Sequence, residues 1–295
     1  MAGSHEPVMV PQVVELMGPA RGGLFVDCTV GLGGHSRALL DAGASRLLGL
    51  DRDPAALTEA RQALAAFGDR VELVHADYRE LDRVLDERGI ERVAGALADL
   101  GVSSMQLDAE GRGFSFRRDE ALDMRMDQTR GPRVSELLNE AAEEEIADVI
   151  YRFGEERYSR RIARAIAAAR RQSPIDTTGR LAAIVRRAIP HRGHQRIDPA
   201  TRTFQALRIW VNRELDGLDV FLSQAAARLL AGARLAVITF HSLEDRVVKH
   251  AFRALEKSGE ALRVVTKRPL VPAEEELARN PRARSAKLRA IERFA

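Results

Sequence analysis

The sequence predicts an α/β fold, a mostly parallel sheet flanked by helices and interrupted by a helical insertion. Over the first hundred residues short apolar runs alternate with amphipathic stretches, the pattern of βαβ units. A glycine-rich turn, Gly31-Leu32-Gly33-Gly34, follows the first apolar run. After Asp108 the pattern turns wholly helical for some ninety residues (about 109–198), with no strand candidate.

Residues 24–28 read as the first strand. The helix after the glycine turn spans about 35–42, with Gly43 as its stop. A second strand, 46–50, ends at Asp51, and Asp53-Pro54 opens the next helix with the Asp as N-cap and the Pro at the first helical position. Strands three and four are 71–75 and 93–100. Helices are predicted over 135–153, 158–172 and 177–189, punctuated by Pro174 and Pro190. A longer helical pattern from 201 to 213 breaks near Gly217 and resumes to 230. A buried strand at 234–240, a helix at 243–256 and a last strand at 262–266 complete the chain. The expected organisation is one discontinuous α/β domain, 1–108 with 199–295, carrying a helical insertion over 109–198.

At 295 residues the chain can bury a full core. No window offers the roughly 18 uncharged apolar residues of a membrane span. Met1 to Pro11 has no basic segment leading into an apolar run, so no secretion signal is read there. A single cysteine excludes an internal disulfide and a cysteine-based zinc site, and a reduced, cytoplasmic setting is expected. The net charge is only +3, but it is segregated. From Arg152 to Arg213 there are fifteen arginines and no lysine, against Glu155, Glu156, Asp176 and Asp198, with His191 and His194 besides. That distribution suits a polyanionic partner or, equally, solvated helix faces.

The segment Asp27-Cys28-Thr29-Val30-Gly31-Leu32-Gly33-Gly34-His35 sits at a strand-to-helix turn. Its glycines allow tight turning and close backbone approach to a ligand, and the following helix offers free N–H groups. Asp51, closing the next strand, is placed to accept from ribose hydroxyls, so a nucleoside-type cofactor is expected. A dinucleotide fingerprint would need a third glycine where Ser36 stands, which counts against a nicotinamide-dependent oxidoreductase. Asp27 suits a cationic sulfonium cofactor with a free amino group better than a pyrophosphate. Asp77-Tyr78 after the third strand offers adenine an acceptor and an aromatic face, or else a helix cap and a core edge.

Several colinear stretches then resemble one family. They are His5-Glu6-Pro7-Val8, Gly33-Gly34-His35, Leu50-Asp51-Arg52-Asp53-Pro54, Asp99-Leu100-Gly101-Val102-Ser103-Ser104 and Arg112-Gly113-Phe114-Ser115-Phe116. Leu122-Asp123-Met124-Arg125-Met126-Asp127, Tyr151-Arg152-Phe153-Gly154-Glu155-Glu156-Arg157 and Pro199 to Ile209 continue the match, and Phe240 to Arg246 with Asn280 to Ser285 close it. The chain is similar throughout to the MraW family of small-subunit ribosomal RNA methyltransferases. The resemblance implies a Rossmann-like class I S-adenosylmethionine-dependent methyltransferase domain with a helical insertion for RNA. It further implies methyl transfer to N4 of a cytidine in the decoding region of small-subunit (16S) ribosomal RNA, and a homodimer. Cofactor contacts carried over by it fall on Gly33, Gly34, His35, Asp51, Tyr78, Asp99 and Gln106. Two departures stand out, a compact stretch between Arg246 and Asn280 and Tyr78 where relatives can carry Phe.

An exocyclic cytosine amine is a poor nucleophile, so its N–H groups need an acceptor, and Asp99 is the candidate catalytic residue. Asp99 equally suits a cofactor contact alone. Phe114, Phe116 and Phe240 are candidates for stacking on the base, or are core. Methylation at C5 would need a cysteine nucleophile, whereas Cys28 lies in the first strand and reads as packing. No metal-ligand spacing appears. His241 next to Ser242 lacks the glycines of a hydrolase elbow and reads as a strand-end or RNA contact. Arg160, Arg161, Arg164, Arg186 and Arg187 are candidates for holding RNA, with Arg279, Arg282, Arg284, Lys287 and Arg289 adding to that surface or packing back. The rival reading is a non-catalytic ribosome-assembly factor that retains a nucleoside pocket.

Overall fold

A computed structural model describes residues 7–190 and 197–295; His5, Glu6, His191 and His194 lie outside the described residues. The chain divides into two compact units, Met1–Gly101 with Leu215–Ala295, and Val102–Glu214. The first unit opens with α1 (Val10–Met17), β1 (Leu24–Asp27), α2 (Gly34–Asp41), β2 (Arg46–Asp51), α3 (Pro54–Leu64), β3 (Val71–His75), α4 (Leu81–Asp86) and β4 (Val93–Asp99). The second unit holds α5 (Ser104–Asp108), α6 (Val134–Glu140), α7 (Glu143–Gly154), α8 (Ser159–Arg170), α9 (Thr178–Ala188) and α10 (Ala200–Asn212). The first unit is completed by α11 (Leu218–Ala227), β5 (Leu229–Thr239), α12 (Ser242–Lys257), β6 (Leu262–Val264), α13 (Glu274–Arg279) and β7 (Lys287–Arg293).

The sheet of the first unit runs β3-β2-β1-β4-β5-β7-β6. Strands β1 to β5 are parallel, and β7 is antiparallel to both β5 and β6. The inner strands are near-continuous apolar runs because helices cover both faces. Strand order reverses between β1 and β4, with Asp27 paired to Gly49 on one side and Leu97 on the other. A crevice beyond the carboxyl ends at such a switch point is where α/β sheets bind ligands. Asp27, Asp51 and Asp99 are the last residues of their strands and therefore border it.

The expected last strand, 262–266, is followed by a further one. β7 carries Lys287, Arg289, Glu292 and Arg293, and its charged letters disguise a strand whose five central residues are all buried. Ion pairs allow this burial. Arg289 Nε lies 2.7 Å from Asp245 Oδ1 and Lys287 Nζ 3.2 Å from Asp245 Oδ2. Glu292 bridges Arg234 and Arg263, each at 2.7 Å. Lys287 and Arg289 thus pack back onto the sheet.

Two boundaries in the helical region also differ from expectation. The helix expected over 135–153 is two helices, because Ala141 and Ala142 are extended (ψ 150° in both). Arg170 Nη1 donates to Leu138 O at 2.6 Å and Ala141 O at 2.7 Å, satisfying carbonyls that end α6. The helix from 200 onward, expected in the α/β domain, lies in the second unit against α7. A Cβ on Gly154 would stand 2.7 Å from Arg202 O, so glycine permits that close approach.

Candidate active site

The glycine turn is built from the sheet upward. Cys28 N donates to Leu97 O at 2.8 Å and Val30 N to Leu50 O at 2.9 Å, so the chain leaving β1 stays pinned between β4 and β2. Asp27 is fully buried. Its Oδ2 accepts from Ser36 Oγ at 2.7 Å and its Oδ1 from Thr29 N at 3.2 Å, tying the strand end to α2. Burial pushes its carboxyl up, against His35 and these hydrogen bonds. Gly33 caps α2 in the left-handed region (φ 83°), where a Cβ would meet Leu64 Cγ at 3.1 Å. A Cβ on Gly34 would come within 2.5 Å of Pro7 Cγ.

Asp51 is half-buried, and each of its oxygens accepts a backbone amide at 2.8 Å, Oδ2 from Gly31 and Oδ1 from Asp53. Burial is the largest influence on its carboxyl, which is pushed up to about 6 despite those amides. Asp53 caps α3 as expected, accepting from Ala55 N at 3.0 Å. Beyond β3, Asp77 opposes burial with Arg79 (2.7 Å) and Arg52 (3.5 Å), and the guanidinium groups hold its carboxyl low. It also closes a capping box with Glu80. The Tyr78 ring is 8 % exposed and tilts against Phe221, centroids 4.7 Å apart.

At the end of β4, Asp99 N donates to Thr29 Oγ1 at 2.6 Å. The Asp99 carboxylate lies 3.4 Å from His35 Nε2, at ion-pair distance. Gly33, Gly34, His35, Asp51, Tyr78 and Asp99 all belong to the first unit. Gln106 belongs to the second, where it closes a capping box with Ser103 (Ser103 N to Gln106 Oε1, 3.0 Å). The roles of Ser36 as a partner of Asp27 and of Thr29 as an anchor of Asp99 have no sequence signal, because the reach of Thr29 to β4 is tertiary.

Other candidates resolve into structure. Cys28 is buried between β1's neighbours, and burial pushes its thiol well above the usual range. Phe114 and Phe116 pack in the core of the second unit, Phe116 edge-on to Phe204 at 4.8 Å, while Phe240 is half-buried against a core of the first. His241 caps α12, its Nδ1 accepting from Glu244 N at 3.3 Å. Within the basic region Arg186 pairs with Asp198 at 2.7 Å and Arg208 with Glu214 at 2.7 Å. Arg160, Arg161, Arg164 and Arg187 are exposed.

A parallel sheet reversing at β1/β4, with an antiparallel strand inserted between β5 and β6, is the arrangement of class I S-adenosylmethionine-dependent methyltransferases. Within that class the chain belongs to the MraW methylase family, whose model matches residues 2–294. It is 51% identical over 291 residues to a Cyanothece protein named Ribosomal RNA small subunit methyltransferase H, covering 98% of this chain and 95% of that one. Proteins of the same name from Sorangium cellulosum and Syntrophotalea carbinolica are each 49% identical. Those matches cover 98% of this chain and 90% and 98% of the relatives respectively. No helix among the described residues is long and apolar enough to cross a membrane.

Proposed function

We propose that this methyltransferase acts on small-subunit ribosomal RNA, moving a methyl group from S-adenosylmethionine to the exocyclic N4 of a cytidine in the decoding region. The observation that carries the reading is Asp99. Its backbone is fixed by Thr29, and its Oδ1 is buried without a hydrogen-bond partner among the described residues. A buried acceptor left unmatched is costly unless a ligand donor completes it.

The residues present fit the cofactor. Acceptors stand at the ends of β1 and β2, and the turn between them has no room for side chains at Gly33 and Gly34. Gly33, Gly34 and His35 would line the cofactor, Asp51 would accept from its ribose hydroxyls, and Tyr78 would flank its adenine. Gln106 is proposed as a contact on the resemblance alone. Bound there, S-adenosylmethionine supplies an electrophilic methyl on a cationic sulfur. Asp99 accepts a hydrogen bond from the amine, holds its lone pair towards the methyl, and receives the proton that N4 loses. The target cytosine must be unpaired or flipped for N4 to reach an acceptor on the protein. Exposed arginines of the inserted segment, 109–198 in the proposed domain division, hold the RNA backbone.

The partner is naked ribosomal RNA or the assembled small subunit, and the setting is the cytoplasm, with the chain acting as a homodimer. The test is transfer of labelled methyl to small subunits lacking the modification, followed by nucleoside mass analysis. N4-methylcytidine, lost in Asp99→Ala, supports the reading. Cofactor binding with no transfer to subunits or naked RNA would favour the assembly-factor alternative.

A further inference from the structure

We propose that His35 is a positioning residue for the transfer, its ring holding one oxygen of Asp99 so that the other is presented to the amine. The inference rests on the reading of Asp99 given above and adds a second function to a residue that would otherwise only line the cofactor.

His35 enters at the first turn of α2, and its ring is 6 % exposed. Nε2 lies 3.4 Å from Asp99 Oδ2. The ring therefore meets Asp99 Oδ2 at ion-pair distance while both ring nitrogens and Asp99 Oδ1 are left without a hydrogen bond among the described residues. Three carboxylates face the ring, Asp99 from β4, Asp27 from β1 and Glu276 from α13. Asp27 is occupied by Ser36 and Thr29, and Glu276 Oε1 accepts from Met9 N at 2.7 Å. Asp99 is left as the carboxylate at ion-pair distance. Burial pulls the imidazole down most, but the neighbouring Asp99 carboxylate, then Asp27 and Glu276, raise it overall. A cation at Oδ2, with Thr29 fixing the backbone, leaves the carboxylate one orientation and Oδ1 as its acceptor.

Two measurements on the full chain test this. In nitrogen-detected NMR titrations, the His35 imidazole is expected to titrate above the ordinary histidine range and to fall by about one unit or more in Asp99→Asn. An unchanged His35 titration in that variant overturns the pair, whatever the enzyme's substrate. In methyl-transfer assays at saturating S-adenosylmethionine, His35→Gln is expected to lower the rate at least about tenfold, whatever it does to cofactor affinity. Loss of affinity with an untouched saturating rate would make His35 a cofactor contact only. If the wild-type chain methylates no small-subunit RNA, the proposed function fails and the NMR titration alone decides the pair.

Discussion

The backbone amide of Gly31 donates to Asp51 Oδ2 at 2.8 Å, so the glycine turn after β1 and the acidic end of β2 form one hydrogen-bonded element. A carboxylate keeps further lone pairs after accepting two amides, which is what ribose hydroxyls require. The first prediction concerns its charge. Burial pushes Asp51 up to about 6, so it binds a proton in the folded chain at a pH where the unfolded chain has lost it. Its contribution to stability is therefore present at low pH and lost as pH rises through about 6. Cofactor binding runs the other way, because hydroxyl donors favour the ionised form. Calorimetric titration should show S-adenosylmethionine affinity constant above pH 7 and falling up to about tenfold per unit below 6. Asp51→Ala should bind no cofactor at concentrations that saturate the wild type. Equal affinity at pH 5 and pH 8 would remove Asp51 from the ribose site.

A second prediction separates the glycines of the same turn. At Gly31 (φ 52°) a Cβ would make only an ordinary contact, with Thr29 O at 3.8 Å. Gly31→Ala should cost only the left-handed backbone, about 1 kcal/mol. Gly33 (φ 83°) adds a 3.1 Å contact with Leu64 Cγ, so Gly33→Ala should cost about 2 kcal/mol or more. Thermal unfolding should rank the two variants in that order. Equal losses would mean that Leu64 yields freely.

Much of this site was legible in the sequence because it is local. The run from Asp27 to His35, the Asp51 that ends β2, and the Asp53-Pro54 cap each announce themselves by short-range chemistry. What was hidden is tertiary. In the sequence β7 reads as surface because Lys287, Arg289 and Glu292 are charged, and pairing with Asp245, Arg234 and Arg263 is what makes burial of Arg289 and Glu292 affordable. The break between α6 and α7 falls in Ala141-Ala142, good helix formers, and is held by Arg170 some thirty residues away. The contacts of Thr29 with Asp99 and of His35 with Asp99 join β1 and α2 to β4 and had no sequence signature at all.

Cys28 gives a chemical discriminator. A C5 methylation mechanism would need a reactive thiolate, whereas this thiol is buried and pushed well above its usual range. Cys28→Ala should keep the saturating transfer rate within about threefold and lose about 1 kcal/mol of stability for the small cavity. Iodoacetamide at pH 8 should leave the native wild type unmodified, as mass spectrometry would show. A hundredfold loss of rate in a variant that unfolds normally would restore a role for the thiol.

The last prediction concerns the basic segment, whose arginines are not equivalent. Arg170 holds the end of α6, Arg180 donates to Ser173 O at 2.7 Å, and Arg186 and Arg208 sit in ion pairs. Removing any of these perturbs the second unit itself. Helix α8 is different. It buries Ile162, Ala163, Ile166 and Ala167 and exposes Arg160, Arg161 and Arg164. Arg164 does reach Glu143 at 3.7 Å, but it is 80 % exposed, and such a surface pair contributes little. Replacing all three by Glu should therefore leave the unfolding temperature nearly unchanged and S-adenosylmethionine affinity untouched. Binding to small-subunit RNA should weaken strongly, and the salt dependence of binding should flatten by about two to three units of log–log slope if each arginine meets a phosphate. Filter binding across a salt series reads both quantities. An unchanged slope would move the RNA surface away from α8, and parallel loss of RNA and cofactor binding would show a folding defect instead.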